Sequence, residues 1–123
     1  MQSQELERVI SALSALRVPL QRGEYDLHLL AEGALTAAGL PFAHEVKLGP
    51  RCRIDLMSGG VGIEMKRGKP NRAVLLRQLS RYAACEPVEA LVAVCERNVD
   101  LPDTLMGKPL RLICLNRLWG IAL

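Results

Sequence analysis

The chain contains 123 residues, of which 50% are apolar and 24% are charged. This length and composition predict a single domain over residues 1–123 and argue against a disordered protein. The formal net charge of +3 permits nucleic acid as a partner without requiring it. No apolar run reaches the roughly 18 residues that a membrane span needs, and the first residues lack the features of a secretory signal.

The spacing of apolar residues predicts two helices and then three strands in the first part of the chain. The helices cover residues 3–17 and Tyr25–Leu40, and the strands cover Phe42–Leu48, Arg51–Met57 and Val61–Lys66. The segment Ser58–Gly60, between the last two strands, is typical of a hairpin turn.

The second part of the chain predicts one more helix and further strands. The helix runs from Asn71 to about Ala84, and Val88–Cys95 is apolar throughout, as expected for a central strand buried on both faces. A loop at Asn98–Asp103 precedes a strand at Leu110–Leu115, and Trp119–Leu123 is a candidate last strand. The order predicts an α/β fold with a mixed central sheet flanked by helices.

The cysteines indicate a reducing environment. No two of the four cysteines form a Cys-x-x-Cys pair, which argues against a zinc ribbon. Cys95 and Cys114 lie within apolar runs and are interpreted as buried, reduced thiols. A cytoplasmic location is therefore expected.

The predicted hairpin carries three charged residues in an otherwise apolar setting. Side chains alternate between the two faces of a strand, so Glu64 and Lys66 share one face of Val61–Lys66. By the same alternation, we expect Ile54 and Leu56 on one face of the preceding strand and Asp55 on the other.

The length of the turn decides where the two acids lie. If Gly59 and Gly60 form a two-residue turn, Asp55 lies opposite Glu64, with Cα atoms about 4.5–5.5 Å apart. Carboxylates at that distance repel unless a cation lies between them, and Mg²⁺ prefers oxygen ligands. A three-residue turn would instead put the acids on opposite faces, and a pair of exposed acids with Lys66 as counter-ion is the simpler alternative.

Two motifs together resemble those of the PD-(D/E)xK nuclease superfamily. Asp55 followed by Glu64-x-Lys66 matches its acidic motif, with Ile54 where the family name has proline. Gln78 and Tyr82 then match the QxxxY motif of RecB-like members. The resemblance covers Gly23–Cys95 and implies a minimal restriction-endonuclease-like αβββαβ core.

The resemblance implies a metal-dependent deoxyribonuclease. Asp55 and Glu64 would hold Mg²⁺ or Mn²⁺, together with the backbone carbonyl of Met65 and an acid of the first core helix. Glu24 and Glu32 compete for that last position, and Glu24 is the better positional match.

The remaining candidate residues would act on the phosphate. Lys66 would orient the attacking water or stabilise the developing charge, and Gln78 and Tyr82 would position Lys66 or the phosphate backbone. A run of basic residues without an acid follows Lys66 and supplies the candidate nucleic-acid contacts, which are Arg67, Lys69, Arg72, Arg77 and Arg81.

Several alternatives remain open at this stage. Within the nucleases, a structure-specific junction resolvase or nicking enzyme is the second reading, and a homodimer would supply it with two active sites. The alternative outside the enzymes is a catalytically silent module that binds nucleic acid or protein. A subunit that depends on a protein partner for targeting is the third.

Overall fold

The computed structural model describes residues 2–17 and 25–120 of the chain. In chain order, the elements of this part are helices α1 (Gln2–Ser14) and α2 (Leu27–Ala37), strands β1 (Ala43–Gly49), β2 (Cys52–Ser58) and β3 (Val61–Lys66), helix α3 (Arg72–Ala83), strands β4 (Ala90–Cys95), β5 (Thr104–Leu105) and β6 (Lys108–Cys114), and helix α4 (Leu115–Leu118). None of the described helices is long and apolar enough to cross a membrane.

The strands form one mixed sheet of six strands in the order β1-β2-β3-β4-β6-β5. β1, β2 and β3 are antiparallel neighbours, whereas β3, β4 and β6 run parallel. Every residue of β4 is buried, because this strand lies between two parallel partners and helices cover both faces. The predicted mixed sheet flanked by helices and the predicted central strand are confirmed.

Two apolar cores lie on opposite faces of the sheet. On one face, α1 and α2 pack against side chains such as Ile63 and Val92, with Leu13 and Leu35 fully buried among them. On the other face, α3 packs through Leu79 and its neighbours against β2, β4 and β5. The core is almost wholly aliphatic, as the low aromatic content predicts.

Side-chain caps set the start of two helices. The Asp26 carboxylate accepts a hydrogen bond from the backbone N–H of Leu29, so α2 begins at Leu27 rather than at Tyr25. The Asn71 side chain accepts from the N–H of Val74 in the same way and starts α3 where the sequence predicts it.

The C-terminal part differs from the prediction in three places, one of which is that Leu115 begins the unpredicted helix α4 instead of ending a strand. β5 was not predicted, because its turn to β6 is built from Met106 and Gly107, both with positive φ, and methionine is not a recognised turn residue. The predicted strand at Trp119–Leu123 is wrong for its described residues: Trp119 and Gly120 form a turn after α4, and the Trp119 indole donates to the carbonyl of Leu16. Residues 121–123 lie outside the described part.

The expected placement of Ile54 and Leu56 on one face is also wrong. Leu56 packs into the core on the α1–α2 face, whereas Ile54 packs into the core on the α3 face, together with Val46 of β1. Between the pairs His44–Leu56 and Val46–Ile54 stands Glu45, with φ of 49°. This left-handed residue of β1 lies opposite the break in β2 and marks where the paired strands leave the extended geometry on which strict alternation depends.

Gly62 lies against the side chains of Ile54 and Leu91, with little free space for a side chain of its own. A Cβ atom there would lie 2.6 Å from Ile54 Cδ1 and 3.0 Å from Leu91 Cδ2. We expect Gly62→Ala to lower the free energy of unfolding by about 1–3 kcal/mol, as overpacked core substitutions do. Gly33→Ala, in the open on α2, is the matched control and should raise it by about 0.5–1 kcal/mol. Urea denaturation of both variants tests the contrast, and equal effects would contradict it.

Candidate active site

The hairpin between β2 and β3 has the two-residue turn on which the site depends. Ser58 pairs with Val61 and Met57 with Gly62, so Gly59 and Gly60 form the turn. Gly59 has φ of 58°, a conformation that glycine adopts without strain. The predicted two-residue turn and its first pairs are therefore confirmed, but the predicted pair of Asp55 with Glu64 is not part of the ladder. Asp55 of β2 still lies close enough to Glu64 of β3 for its charge to act on that carboxyl.

Asp55 is fixed by a bond to the backbone of the neighbouring strand. Regular pairing between β2 and β3 ends at Leu56 and Ile63, although both strands continue. Beyond that point, the N–H of Met65 donates to Asp55 Oδ2 at 2.8 Å. The carboxylate thus takes the place of a carbonyl in the ladder, and its second oxygen is left to serve another partner.

Glu64 is a buried carboxylate with one oxygen unused. The residue is 3% exposed, and its Oε2 lies 3.4 Å from Lys66 Nζ. Its Oε1 is buried without a hydrogen-bond partner among the described residues. Burial, and then the charge of Asp55, raise the pKa of Glu64 to about 7, and Lys66 partly opposes this. A cation bound at Oε1 would therefore stabilise the ionised form of this carboxylate.

Tyr82 and Gln78 lie on the face of α3 that covers the carboxylates. Tyr82 is 2% exposed, and its hydroxyl donates to the carbonyl of Arg53 at 2.9 Å. Burial, and then the neighbouring Glu64, raise the pKa of this hydroxyl. Gln78 Oε1 is buried, and no hydrogen-bond donor within the described ranges reaches it. Tyr82 therefore anchors α3 to β2, and Gln78 presents an acceptor beside it.

The Tyr82 hydroxyl makes a separately testable contribution to stability. We expect Tyr82→Phe to lower the free energy of unfolding by about 1–2 kcal/mol, because the ring still packs but the bond to Arg53 is lost. The midpoint of urea denaturation should fall while its slope stays constant. An unchanged midpoint would mean that the hydroxyl does not hold α3 to β2.

The predicted metal ligands are brought together only in part. Asp55, Glu64 and the backbone of Met65 meet at one place, whereas Glu24 lies outside the described residues. Glu32 lies on α2 and is half-buried. Within residues 2–17 and 25–120, no group of three or more His, Cys, Asp or Glu side chains could hold a metal ion. The described part thus offers two carboxylates, and the buried free oxygen of Glu64 is the feature that fits a cation.

The predicted nucleic-acid contacts divide into two groups. All five are exposed, but Arg67 donates to Glu96 at 3.1 Å and stacks over the ring of Tyr25. Arg72 donates to the carbonyl of Asp100 at 2.6 Å. These two arginines therefore already have partners within the protein. The remaining three candidates are Lys69, Arg77 and Arg81.

Glu96, which accepts the hydrogen bond from Arg67, is the centre of a polar cluster at the start of α2. Burial raises its pKa, but hydrogen bonds from Tyr25, the Gly68 N–H and Arg67 outweigh burial, so that the net pKa of Glu96 is lowered. Desolvation and the Glu96 partner raise the pKa of Tyr25 to about 12. The cluster joins the ends of β3 and β4 to the start of α2.

A basic cleft adjoins the carboxylates on the α3 side. It has a volume of about 410 Å³, and its cationic lining residues are Lys47, Arg51, Arg53 and Arg81. Gln78 and Tyr82 line its floor. Sequence reasoning missed the first three cations, because they come from β1, β2 and the turn between them, whereas the conspicuous basic run follows Lys66. The position of Arg53 two residues before Asp55 is the signal that could have found them.

Comparison of the chain with protein-family models, with curated proteins and with solved structures gave no significant match in any of the three.

Proposed function

We propose that the protein is a metal-dependent nuclease that hydrolyses phosphodiester bonds, with DNA as its substrate. The observation that carries the proposal is the pair of carboxylates. Asp55 accepts from the Met65 N–H, and buried Glu64 has Lys66 beside it and one oxygen that no described residue binds. Repulsion and desolvation of this kind are retained where a cation is to be bound.

The element order supports a PD-(D/E)xK nuclease. α2-β1-β2-β3-α3-β4 has the αβββαβ order of a restriction-endonuclease-like core. The acidic motif lies across β2 and β3, and Gln78 and Tyr82 lie on the next helix, against it. Each motif alone is weak, and their meeting in space supports the class.

The chemistry follows from the groups present. Asp55 and Glu64, with the carbonyl of Met65, would hold Mg²⁺ or Mn²⁺, which lowers the pKa of bound water and polarises a phosphate. Lys66, 3.4 Å from Glu64 and partly exposed, orients the attacking water and stabilises the charge that develops on the phosphate. Tyr82 keeps α3, and with it Arg81, in position beside the site, and Gln78 lines the same cleft.

Cleavage assays test the proposal. Supercoiled plasmid and a labelled single strand are incubated with Mg²⁺, Mn²⁺ or EDTA. We expect cutting with either metal and none with EDTA, and nicked circles as opposed to shortened strands separate endonuclease from exonuclease action. Absence of cutting, together with absence of metal binding by calorimetry, would overturn the nuclease assignment.

Two further readings belong to this proposal. A catalytically silent module that binds nucleic acid is favoured by one observation: four cationic side chains line the cleft beside the carboxylates and could hold a phosphate without any metal. Nucleic-acid binding without metal binding would support that module. A structure-specific nicking enzyme or junction resolvase, acting as a homodimer, would instead prefer branched DNA.

The four cysteines are free, in keeping with a cytoplasmic location.

A further inference from the structure

We propose that the basic cleft formed by Lys47, Arg51, Arg53 and Arg81 binds a phosphate of the nucleic-acid backbone next to the carboxylate site. The choice of ligand rests on the proposed function. The inference that the cleft binds an anion does not rest on it, because the charge and shape of the cleft favour a polyanion whatever the function of the protein.

The pairing of β1 and β2 provides the first argument. Lys47 and Arg53 are directly opposite each other in the register. Like charges in directly opposed positions destabilise a sheet unless an anion lies between them. Arg51 extends the same charge into the turn with φ of 55°, and Arg81 adds to it from α3. None of the described residues that line the cleft is acidic.

The neighbouring acid does not neutralise this charge. Glu45 is 3.7 Å from Arg53, and both side chains are 63% exposed. An exposed pair of this kind is worth at most about 1 kcal/mol, so a phosphate can displace Glu45. Gln78 adds an uncharged polar side chain to the lining of the cleft.

The position of the cleft gives the path of the nucleic acid. Arg53 precedes Asp55 by two residues, and Tyr82 lies both in the cleft and against Glu64. A phosphate held here is therefore adjacent to the bond that would be cut. The backbone then crosses the β1–β2 end of the sheet. Of the basic run after Lys66 it meets Arg81 alone, and it does not follow the rest of that run, where Arg67 is engaged with Glu96.

Binding measured without catalysis tests this path. The affinity for labelled duplex DNA is measured by fluorescence anisotropy in EDTA, over a series of salt concentrations. The cleft variant is Lys47→Ala with Arg51→Ala. The matched control, Arg8→Ala with Arg117→Ala, removes two exposed charges from α1 and α4. A third variant, Lys69→Ala with Arg77→Ala, removes two charges from the basic run.

We expect the cleft variant to weaken binding by roughly 10-fold or more and to reduce the salt slope by about 2, because two phosphate contacts are lost. The control should change binding less than about 3-fold. Equal losses in all three variants, a larger loss in the basic-run variant, or no binding by the wild type would overturn the proposal. Wild-type protein that binds through the cleft but never cuts with metal would leave it standing and refute the nuclease assignment alone.

A separate observation carries a second inference. Cys52 Sγ at the start of β2 and Cys85 Sγ after α3 lie 3.8 Å apart, and both thiols are free. We infer that this pair forms a disulfide by exchange with a small-molecule disulfide such as oxidised glutathione. The half-buried Cys85 attacks first and releases one glutathione thiol. Cys52 then displaces the second, so that two protein thiols are oxidised and one small disulfide is reduced to two thiols.

Mass spectrometry after equilibration with oxidised glutathione tests the thiol pair. We expect the wild type to lose two hydrogens and to give a Cys52–Cys85 peptide, whereas Cys52→Ser should stop at a mixed disulfide on Cys85. The control Cys114→Ser should behave as the wild type does. A stable mixed disulfide in the wild type, or pairing that involves Cys95 or Cys114, would overturn the inference.

Discussion

Asp55→Asn is expected to reduce metal-dependent cleavage by roughly 10²–10³-fold or more, the scale on which the loss of one group that stabilises transition-state charge acts. Asparagine can still accept the Met65 N–H through its amide oxygen, so the join between β2 and β3 should survive. What is lost is the negative charge that helps to hold the cation. Single-turnover cleavage rates in saturating Mg²⁺ measure the effect.

The control for this variant is Asp103→Asn, which makes the same chemical change at an exposed loop position. It should leave the rate unchanged. Calorimetry should show weaker Mg²⁺ binding for Asp55→Asn only, and urea denaturation in EDTA should show little difference between the variants. Full activity in Asp55→Asn would show that the carboxylate pair is a structural feature and not a metal site.

The meeting of Asp55 and Glu64 could be predicted because it depends on local rules. The two glycines fix a two-residue turn, and the turn fixes the register. The bond from the Met65 N–H to Asp55 could not be predicted, because it requires the strands to stop pairing at that point. Alternation failed at Ile54 for a related reason: a left-handed Glu45 in β1 is invisible in the residue pattern.

The charge pattern of the sequence predicts less of the site than the acidic motif does. A run of basic residues along the chain predicts a charged surface, but it does not say which side chains the fold uses. Arg67 and Arg72 are bound to partners from distant parts of the sequence, Glu96 and Asp100. The cleft cations gather only when β1, β2 and α3 meet, and no local pattern encodes that meeting.

The charge state of Glu64 should make the protein less stable as the pH rises. Its pKa in the folded protein is raised to about 7, by burial first and by Asp55 second, from an ordinary value of 4.5. The folded state therefore binds the proton more tightly than the unfolded state. The resulting stabilisation is complete below pH 4.5 and is lost as the pH rises through 7; a shift of this size corresponds to about 3 kcal/mol.

Glu64→Gln isolates this contribution, because glutamine does not titrate and can still accept a bond from Lys66. In EDTA, the variant and the wild type should have similar free energies of unfolding at pH 4.5. By pH 8, the variant should be more stable by about 3 kcal/mol. Glu96, whose pKa is lowered because its hydrogen bonds outweigh its burial, is present in both proteins and cancels in the difference.

Mg²⁺ adds a second test to the same comparison. At pH 8 it should stabilise the wild type and leave Glu64→Gln nearly unchanged, because the cation replaces the proton only where a carboxylate is present. Urea denaturation from pH 4.5 to 8, with and without Mg²⁺, gives both results. Parallel pH curves for the two proteins would mean that Glu64 is ionised at no cost in the folded state. The repulsion between Asp55 and Glu64, on which the proposed cation site rests, would then be absent.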